Sequence, residues 1–193
     1  MSDTPLEMPE WAAMLQNIAP VGDQLINRWG REQPSADDRR DLFRLALSAV
    51  ANGYLSHVAL DPRRPTWTPC WNISMNMGGP CPDYTYRTTD VDPAGSYRNS
   101  GYRGTNRNEE ISQQSNEQLG HEGDTSVTPV QNSLDDLTLG EGGWFSVILS
   151  GERPAGYDGD WWKLEPTTVR LLLRECSVDW IRELDARTAI ERL

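Results

Sequence analysis

The stretch from Cys70 to Thr105, CWNISMNMGGPCPDYTYRTTDVDPAGSYRNSGYRGT, decides how this chain folds. Its centre, Tyr84-Thr85-Tyr86-Arg87-Thr88-Thr89, has the aromatic and β-branched content of a strand. Asp92-Pro93-Ala94-Gly95 follows as a turn, because Pro fixes φ at the second position and Gly relieves the fourth. Ser96 to Tyr102 then returns as a second strand, so Tyr84–Tyr102 reads as an antiparallel hairpin. Alternation places Tyr84, Tyr86 and Thr88 on one face and Thr85, Arg87 and Thr89 on the other. On the returning strand Arg98 shares its parity with Ser96, Ser100 and Tyr102. Trp, Tyr, Arg, Asn and Asp set between Gly and Pro also have the make-up of a ligand-binding wall.

Upstream of this stretch the texture is helical. Trp11, Met14, Leu15 and Ile18 follow the i, i+3, i+4, i+7 spacing, and Leu25, Ile26 and Trp29 resume it after Pro20 and Gly22. Ser35 with Asp38 forms a capping-box start for a further helix. That helix is expected to bury Leu42, Leu45, Ala46, Ala49 and Val50 and to fade near Gly53. Residues 1–65 therefore read as a helical hairpin, and 66–193 as an antiparallel β-rich region. Within the latter, 104–136 is polar enough to read as a long loop, with Glu109 to Gln114 as a strand inside it.

Further on, Trp144 to Ser150 is the strongest strand signal. Trp161 to Leu164 reads as a short strand and Thr167 to Arg174 as a longer one, with Val169, Leu171 and Leu173 on one face. Ser177 is placed to cap a closing helix over Val178 to Leu193, with Glu183 and Arg187 paired on its exposed side. That helix lacks a closing Gly, Asn or Pro, which suggests the front part of a longer polypeptide. The expected class is α+β: an N-terminal helical hairpin, an antiparallel sheet with a sandwich-like arrangement open to it, and a C-terminal helix.

Composition excludes several functions. The 193-residue chain carries 29 acidic and 18 basic residues, a formal charge of −11. Such a surface repels a phosphate backbone, so no nucleic-acid partner is expected. No apolar run approaches a membrane span, and the acidic start lacks a signal-peptide core, so no membrane partner and a cytoplasmic location are expected. Three cysteines, Cys70, Cys81 and Cys176, are an odd count. Cys70 and Cys81 could pair across the Gly-Pro loop, but reduced thiols fit a chain without a leader better. His57 and His121 stand apart, and no metal-binding spacing or cofactor fingerprint occurs, so neither metal nor cofactor is expected; a carboxylate-only Mg²⁺ or Ca²⁺ site stays open because Asp and Glu are plentiful, though no EF-hand loop supports one. No G-x-S-x-G elbow is present, and Cys70 or Cys81 beside His57 lacks an activating context.

What remains is a set of binding candidates: Trp71, Asn72, Asp83, Tyr84, Arg87, Arg98, Arg103 and Trp161. An Arg on a strand face holds a carboxylate or phosphate through a forked pair of N–H bonds. Trp161 and Trp162 beside Asp160 offer flat apolar faces next to a carboxylate, suited to a sugar or a planar ligand. The competing assignment pairs these arginines with Asp83, Asp90, Asp92 or acids of the final helix, and makes the tryptophans boundary anchors.

A series of phrases in one order resembles the N-terminal half of bacterial proteins that carry domain of unknown function 1214, often with domain 1254. They are Cys70-Trp71-Asn72, Pro82-Asp83-Tyr84 with Tyr86-Arg87, Asp92 to Arg98, Gly101 to Thr105, Ser150 to Pro154, Gly159 to Trp162, and Asp179-Trp180 with Arg182-Glu183 and Asp185-Ala186-Arg187. The resemblance covers roughly residues 67–193. It implies an antiparallel β-rich fold with a helical N-terminus and a further β domain downstream. Cys81 stands where the family has Asn, and Asn106 to Glu109 is more polar than the family's strand. The family brings no agreed chemistry and hence no catalytic residue. Two functions follow: a domain binding a small apolar, aromatic or anionic molecule at the Trp/Tyr/Arg wall, or an interaction module. The second docks a β domain, a partner chain or its own copy through an exposed sheet edge and the 178–193 helix.

Overall fold

Strands divide between two sheets, and that division sets the position of every candidate residue. The computed structural model describes residues 10–29, 35–72, 75, 80–115 and 129–193. Three helices come first: α1 (Trp11–Ile18), α2 (Val21–Trp29) and α3 (Ala36–His57). Among the described residues nine strands follow: β1 (Thr68–Pro69), β2 (Tyr84–Asp90), β3 (Ser96–Tyr102), β4 (Asn108–Gln114), β5 (Val130–Ser133), β6 (Trp144–Ser150), β7 (Asp160–Lys163), β8 (Arg170–Cys176) and β9 (Arg187–Arg192). The chain is thus α+β, with β1-β2-β8-β4-β5 in one sheet and β7-β6-β3-β9 in the other.

The capping box that opens α3 is present: Ser35 Oγ accepts from the Asp38 amide, and the Asp38 carboxylate accepts from the Ser35 amide. α3 continues through Gly53 to His57 rather than fading there, and α2 lies against it. The expected helical hairpin resolves into three helices, and α3 covers less than expected. Leu42, Leu45, Ala46 and Ala49 are half-buried, while Val50 is exposed with Phe43, Leu47 and Tyr54. No described helix is long and apolar enough to cross a membrane.

The first sheet is antiparallel throughout. The register sets Arg87 and Ile111 beside Leu173, and Thr85 and Glu109 beside Glu175. Alternation then sends Leu171, Leu173 and Ile111 inward against Tyr97, Phe145, Val147, Leu149 and Ile190 of the second sheet, where they form one buried cluster. Each fully buried side chain of this kind contributes roughly 1.5–3 kcal/mol. Both parities of β6 are buried from Val147 to Ser150, as its unbroken apolar run demands.

Four expectations are corrected. First, β2 and β3 have the expected residues but do not pair with each other: β2 joins β8, while β3 joins β6 and β9. The turn between them forms, with Gly95 N donating to Asp92 O at 2.8 Å, yet it is a corner between sheets. Tyr97 causes this. Its ring lies so close over Gly95 that a Cβ there would stand 2.8 Å from it. Its hydroxyl accepts from Asp92 N at 2.7 Å and donates to Pro62 O at 3.0 Å.

Second, no C-terminal helix exists. Residues 178–183 make a single turn, with Glu183 N donating to Asp179 O, and 187–192 form β9. Tertiary bonds capture the chain first: Leu184 O accepts from Thr105 N at 2.8 Å and Leu184 N donates to Thr105 Oγ1 at 3.0 Å. The Glu183–Arg187 helical pair is replaced, because the Glu183 carboxylate accepts from Val178 N instead. Third, the polar 104–136 segment holds more than the one expected strand, now β4: it also forms β5 and a 3-10 turn at Leu134–Asp136, with Leu134 fully buried; 116–128, with His121, lies outside the described residues. The second sheet is also mixed rather than antiparallel, since β7 runs parallel to β6. Arg153 holds the connection between them, donating to Tyr157 O and Gly159 O.

Candidate functional site

One end of the two-sheet core is ionic rather than apolar. Glu109 of β4 and Glu175 of β8 stand opposite each other on the inward face, continuing the parity of Ile111 and Leu173, and both are fully buried. Like charges in directly opposed positions repel, and burial makes each charge costlier still. Two arginines answer this from either side. Arg87 of β2 forks onto Glu175, with Nε 2.9 Å from Oε2 and Nη2 2.6 Å from Oε1, and also donates to Ala186 O at 2.8 Å. Arg103, just past β3, donates to Asp135 at 2.6 Å and to Asn106 O at 2.8 Å. It lies 3.8 Å from Glu109, a charge contact without a hydrogen bond.

The two carboxyls therefore differ. Glu175 has its fork from Arg87 and a bond from Ala186 N at 2.9 Å. Burial pushes its pKa up, and the Arg87 bonds and charge pull against that rise. Glu109 has no hydrogen-bond partner on either oxygen. Burial pushes it up to about 8, against the pull of Arg103 and with the push of Glu175. Burial thus biases Glu109 toward its protonated form. Burial works against the charge of Arg103, but Asp135 and Glu109 outweigh it and hold its pKa up.

Two grooves open on the surface near these residues. One, of about 490 Å³, runs from Arg87 over Thr188 and Arg187 to Tyr102 and Trp144. The other, of about 500 Å³, lies between Tyr84, Arg107, Cys176 and Glu183. Glu109 is closed off from both by its full burial, so it cannot serve as an acid toward a ligand in either groove.

The eight sequence candidates distribute over five places. Trp71, Tyr86 and Tyr84 form a ring series on the outer face of the first sheet, with centroid separations of 5.8 and 5.9 Å. Asn72 closes its own turn, donating to Cys70 O and accepting from Met75 N. The Asp83 side chain is exposed, while its carbonyl accepts from Ser177 N. Arg87 and Arg103 meet at the ionic layer. Arg98 pairs across the sheet with Glu191 at 3.1 Å, and Trp161 donates to Ser150 Oγ at 3.0 Å, both on the outer face of the second sheet. The acids Asp90 and Asp92, which the competing assignment gave to these arginines, pair instead with Arg170 and Arg192.

Sequence reasoning passed over Glu109, Glu175, Tyr102, Trp144 and Arg187. A signal existed for Glu175, which shares the parity of Leu171 and Leu173. The cysteines are all free. Burial pushes the Cys70 thiol up to about 11, which leaves it unreactive, and the side chain of His57 lies outside the described residues.

The fold and site define an α+β protein of two packed sheets with an ionic layer closing one end. No family model matches the chain, and no curated protein matches it. Among solved structures it is similar to an uncharacterised protein from Burkholderia cenocepacia, with a TM-score of 0.77 and 24% identity over 95% of this chain and 49% of that one. The VPA0106 protein from Vibrio parahaemolyticus matches at a TM-score of 0.43 and 9% identity, over 91% of this chain and 52% of that one. The chain spans about half the length of the solved structures it matches. The Burkholderia likeness is one of fold.

Proposed function

We propose that this chain is an interaction module whose 177–186 loop docks a further, β-rich domain. The observation that supports the reading is Ile181, 94% exposed, with Val178, Trp180 and Leu184 exposed beside it. Singly exposed apolar residues are ordinary, but four on one short loop mark a contact surface. The loop is also held in shape, which a mere solvent-washed connection does not need. Ile181 N and Arg182 N donate to Asp179 Oδ1, Val178 N donates to Glu183, and Leu184 is bonded through both backbone groups to Thr105. Fixing these side chains before contact lowers the entropic cost of docking.

The occupant we assign is a second domain of the same polypeptide. The fold occupies about half of the Burkholderia chain, and the family resemblance of residues 67–193 implies a β domain downstream. The test is to express the region encoded directly after Leu193 separately and titrate it against this chain. Binding with a shift of Trp180 fluorescence, abolished by Ile181→Asp, is the expected result. A stop codon at that point, or a downstream product that leaves Trp180 unshifted, refutes the assignment. Concentration-dependent self-association of the chain alone in sedimentation equilibrium would give the surface to a second copy instead.

A further inference from the structure

Trp144, Tyr102 and Arg187 stand side by side across β6, β3 and β9, at the end of the second sheet nearest the ionic layer. The two rings meet edge to face, with centroids 5.2 Å apart and planes at 73°. Arg187 Cζ stands 4.9 Å from the Tyr102 centroid. Both rings are more than a third exposed, and all three residues line the groove that continues over Thr188 to Arg87.

Arg187 differs from its neighbours in charge pairing. Arg87, Arg98, Arg103, Arg170, Arg174 and Arg192 each meet a carboxylate. Arg187 meets none among the described residues, although acids outnumber bases 29 to 18 in this chain. Its charge rests on the face of a ring, an arrangement that leaves the in-plane N–H fork open to a pair of oxygens.

The backbone adds a donor. β9 is the edge of its sheet, and the bond from Leu193 N to Ser96 O fixes the phase of the β3–β9 ladder. In that phase Thr188 belongs to a pair not bonded across the ladder, so its N–H points away from β3 to the open edge. Below, the forked Arg87 holds Ala186 O and fixes where this edge begins.

We propose that this groove binds a planar aromatic carboxylate. The carboxylate takes the Arg187 fork, and the ring of the ligand lies against Trp144 and Tyr102. A cation is excluded by Arg187. Inorganic phosphate would leave both rings uncovered and meets stronger repulsion from a protein of charge −11. This site is separate from the 177–186 apolar loop and does not depend on its partner.

The test uses benzoate as probe, with the Trp144 indole N–H resonance, identified by its loss in Trp144→Phe, as readout. Benzoate shifts that resonance saturably, at roughly millimolar concentration for so small a ligand. Benzamide, cyclohexanecarboxylate and phosphate each bind at least about tenfold more weakly, and so does benzoate to Arg187→Gln. Arg187→Lys, which keeps the charge and loses the fork, shows the same direction of loss and serves should the Gln variant misfold. No saturable benzoate shift, equal binding of benzoate and benzamide, phosphate matching benzoate, or undiminished binding in either Arg187 variant overturns the proposal. Arg187 is then only a packing partner of Tyr102.

Discussion

Replacing Glu109 with Gln removes one proton site from the interior and nothing else of comparable size. The wild-type carboxyl stays protonated in the fold up to about pH 8, whereas in the unfolded chain it ionises near 4.5. Between those values the folded state binds the extra proton, so stability falls as pH rises. The stabilisation is complete below pH 4.5 and is lost as pH climbs through 8. Its slope is about 1.4 kcal/mol per pH unit, which makes the wild type on the order of 3 kcal/mol less stable at pH 7 than at pH 4.5 through this group alone. Glu109→Gln has no such slope. Glu175, Arg87, Arg103 and Asp135, which face the same carboxyl, remain in both proteins, and their own contributions largely cancel in the difference. Urea unfolding followed by Trp fluorescence from pH 5 to 8.5 measures it. The variant gains on the wild type steadily as pH rises. A difference that stays flat across this range would mean that Glu109 is ionised throughout and satisfied by Arg103, and would refute the reasoning.

Arg87→Met strands the buried Glu175 carboxylate and costs about 3–5 kcal/mol in the same assay, while adding Glu175→Leu recovers most of it. A second substitution that recovers nothing would show that the fork matters for geometry beyond charge. Gly104 has φ +80°, and a Cβ there collides with Leu184 O, so Gly104→Ala loses about 1–3 kcal/mol. An unchanged urea midpoint would contradict the close approach of these two segments. Among the cysteines, Cys81 is exposed and reacts with a disulfide reagent under native conditions, while Cys70 reacts only on unfolding. Equal rates for the two would disprove the burial of Cys70.

Local chemistry made the strands legible and left their partners unread. Tyr84–Asp90, Ser96–Tyr102 and Trp144–Ser150 each announce themselves by composition, and the Asp92–Gly95 turn by Pro and Gly. Which strand each one joins depends on Tyr97 reaching Pro62 and on Asp90 finding Arg170, contacts between residues 35 and 80 positions apart. Residues 178–193 failed for a related reason. Their spacing suits a helix as well as a strand, and the choice rests on Thr105 and Asn106 capturing Leu184 O. The candidate site was half legible. Arg87 and Arg103 stood out as arginines on or beside punctuated strands, but Glu109 was legible only as the first residue of a strand without a partner until β8 placed it opposite Glu175.

The cost of the ionic layer and the order of the apolar loop have one cause. A buried Arg–carboxylate pair seldom gains stability over an apolar replacement, so its retention needs another reason. Here each member fixes the loop at a root. Glu175 accepts from Ala186 N and Arg87 donates to Ala186 O, which pins the far end. Asp185 accepts from Ser177 Oγ and Asn106 Nδ2, which ties the near end to the segment carrying Arg103. An all-apolar layer would pack as tightly but could not hold backbone N–H and C=O groups at chosen points. Combining Arg87→Met with Glu175→Leu separates the two roles: the pair restores the urea midpoint yet leaves Ala186 without its side-chain partners. Amide exchange across 178–186 then rises while the core strands stay protected. Unchanged exchange in that double variant would show that the bonds of Thr105, Asp179, Glu183 and Asp185 suffice to hold the loop, and that the Arg87–Glu175 pair has no part in presenting Ile181.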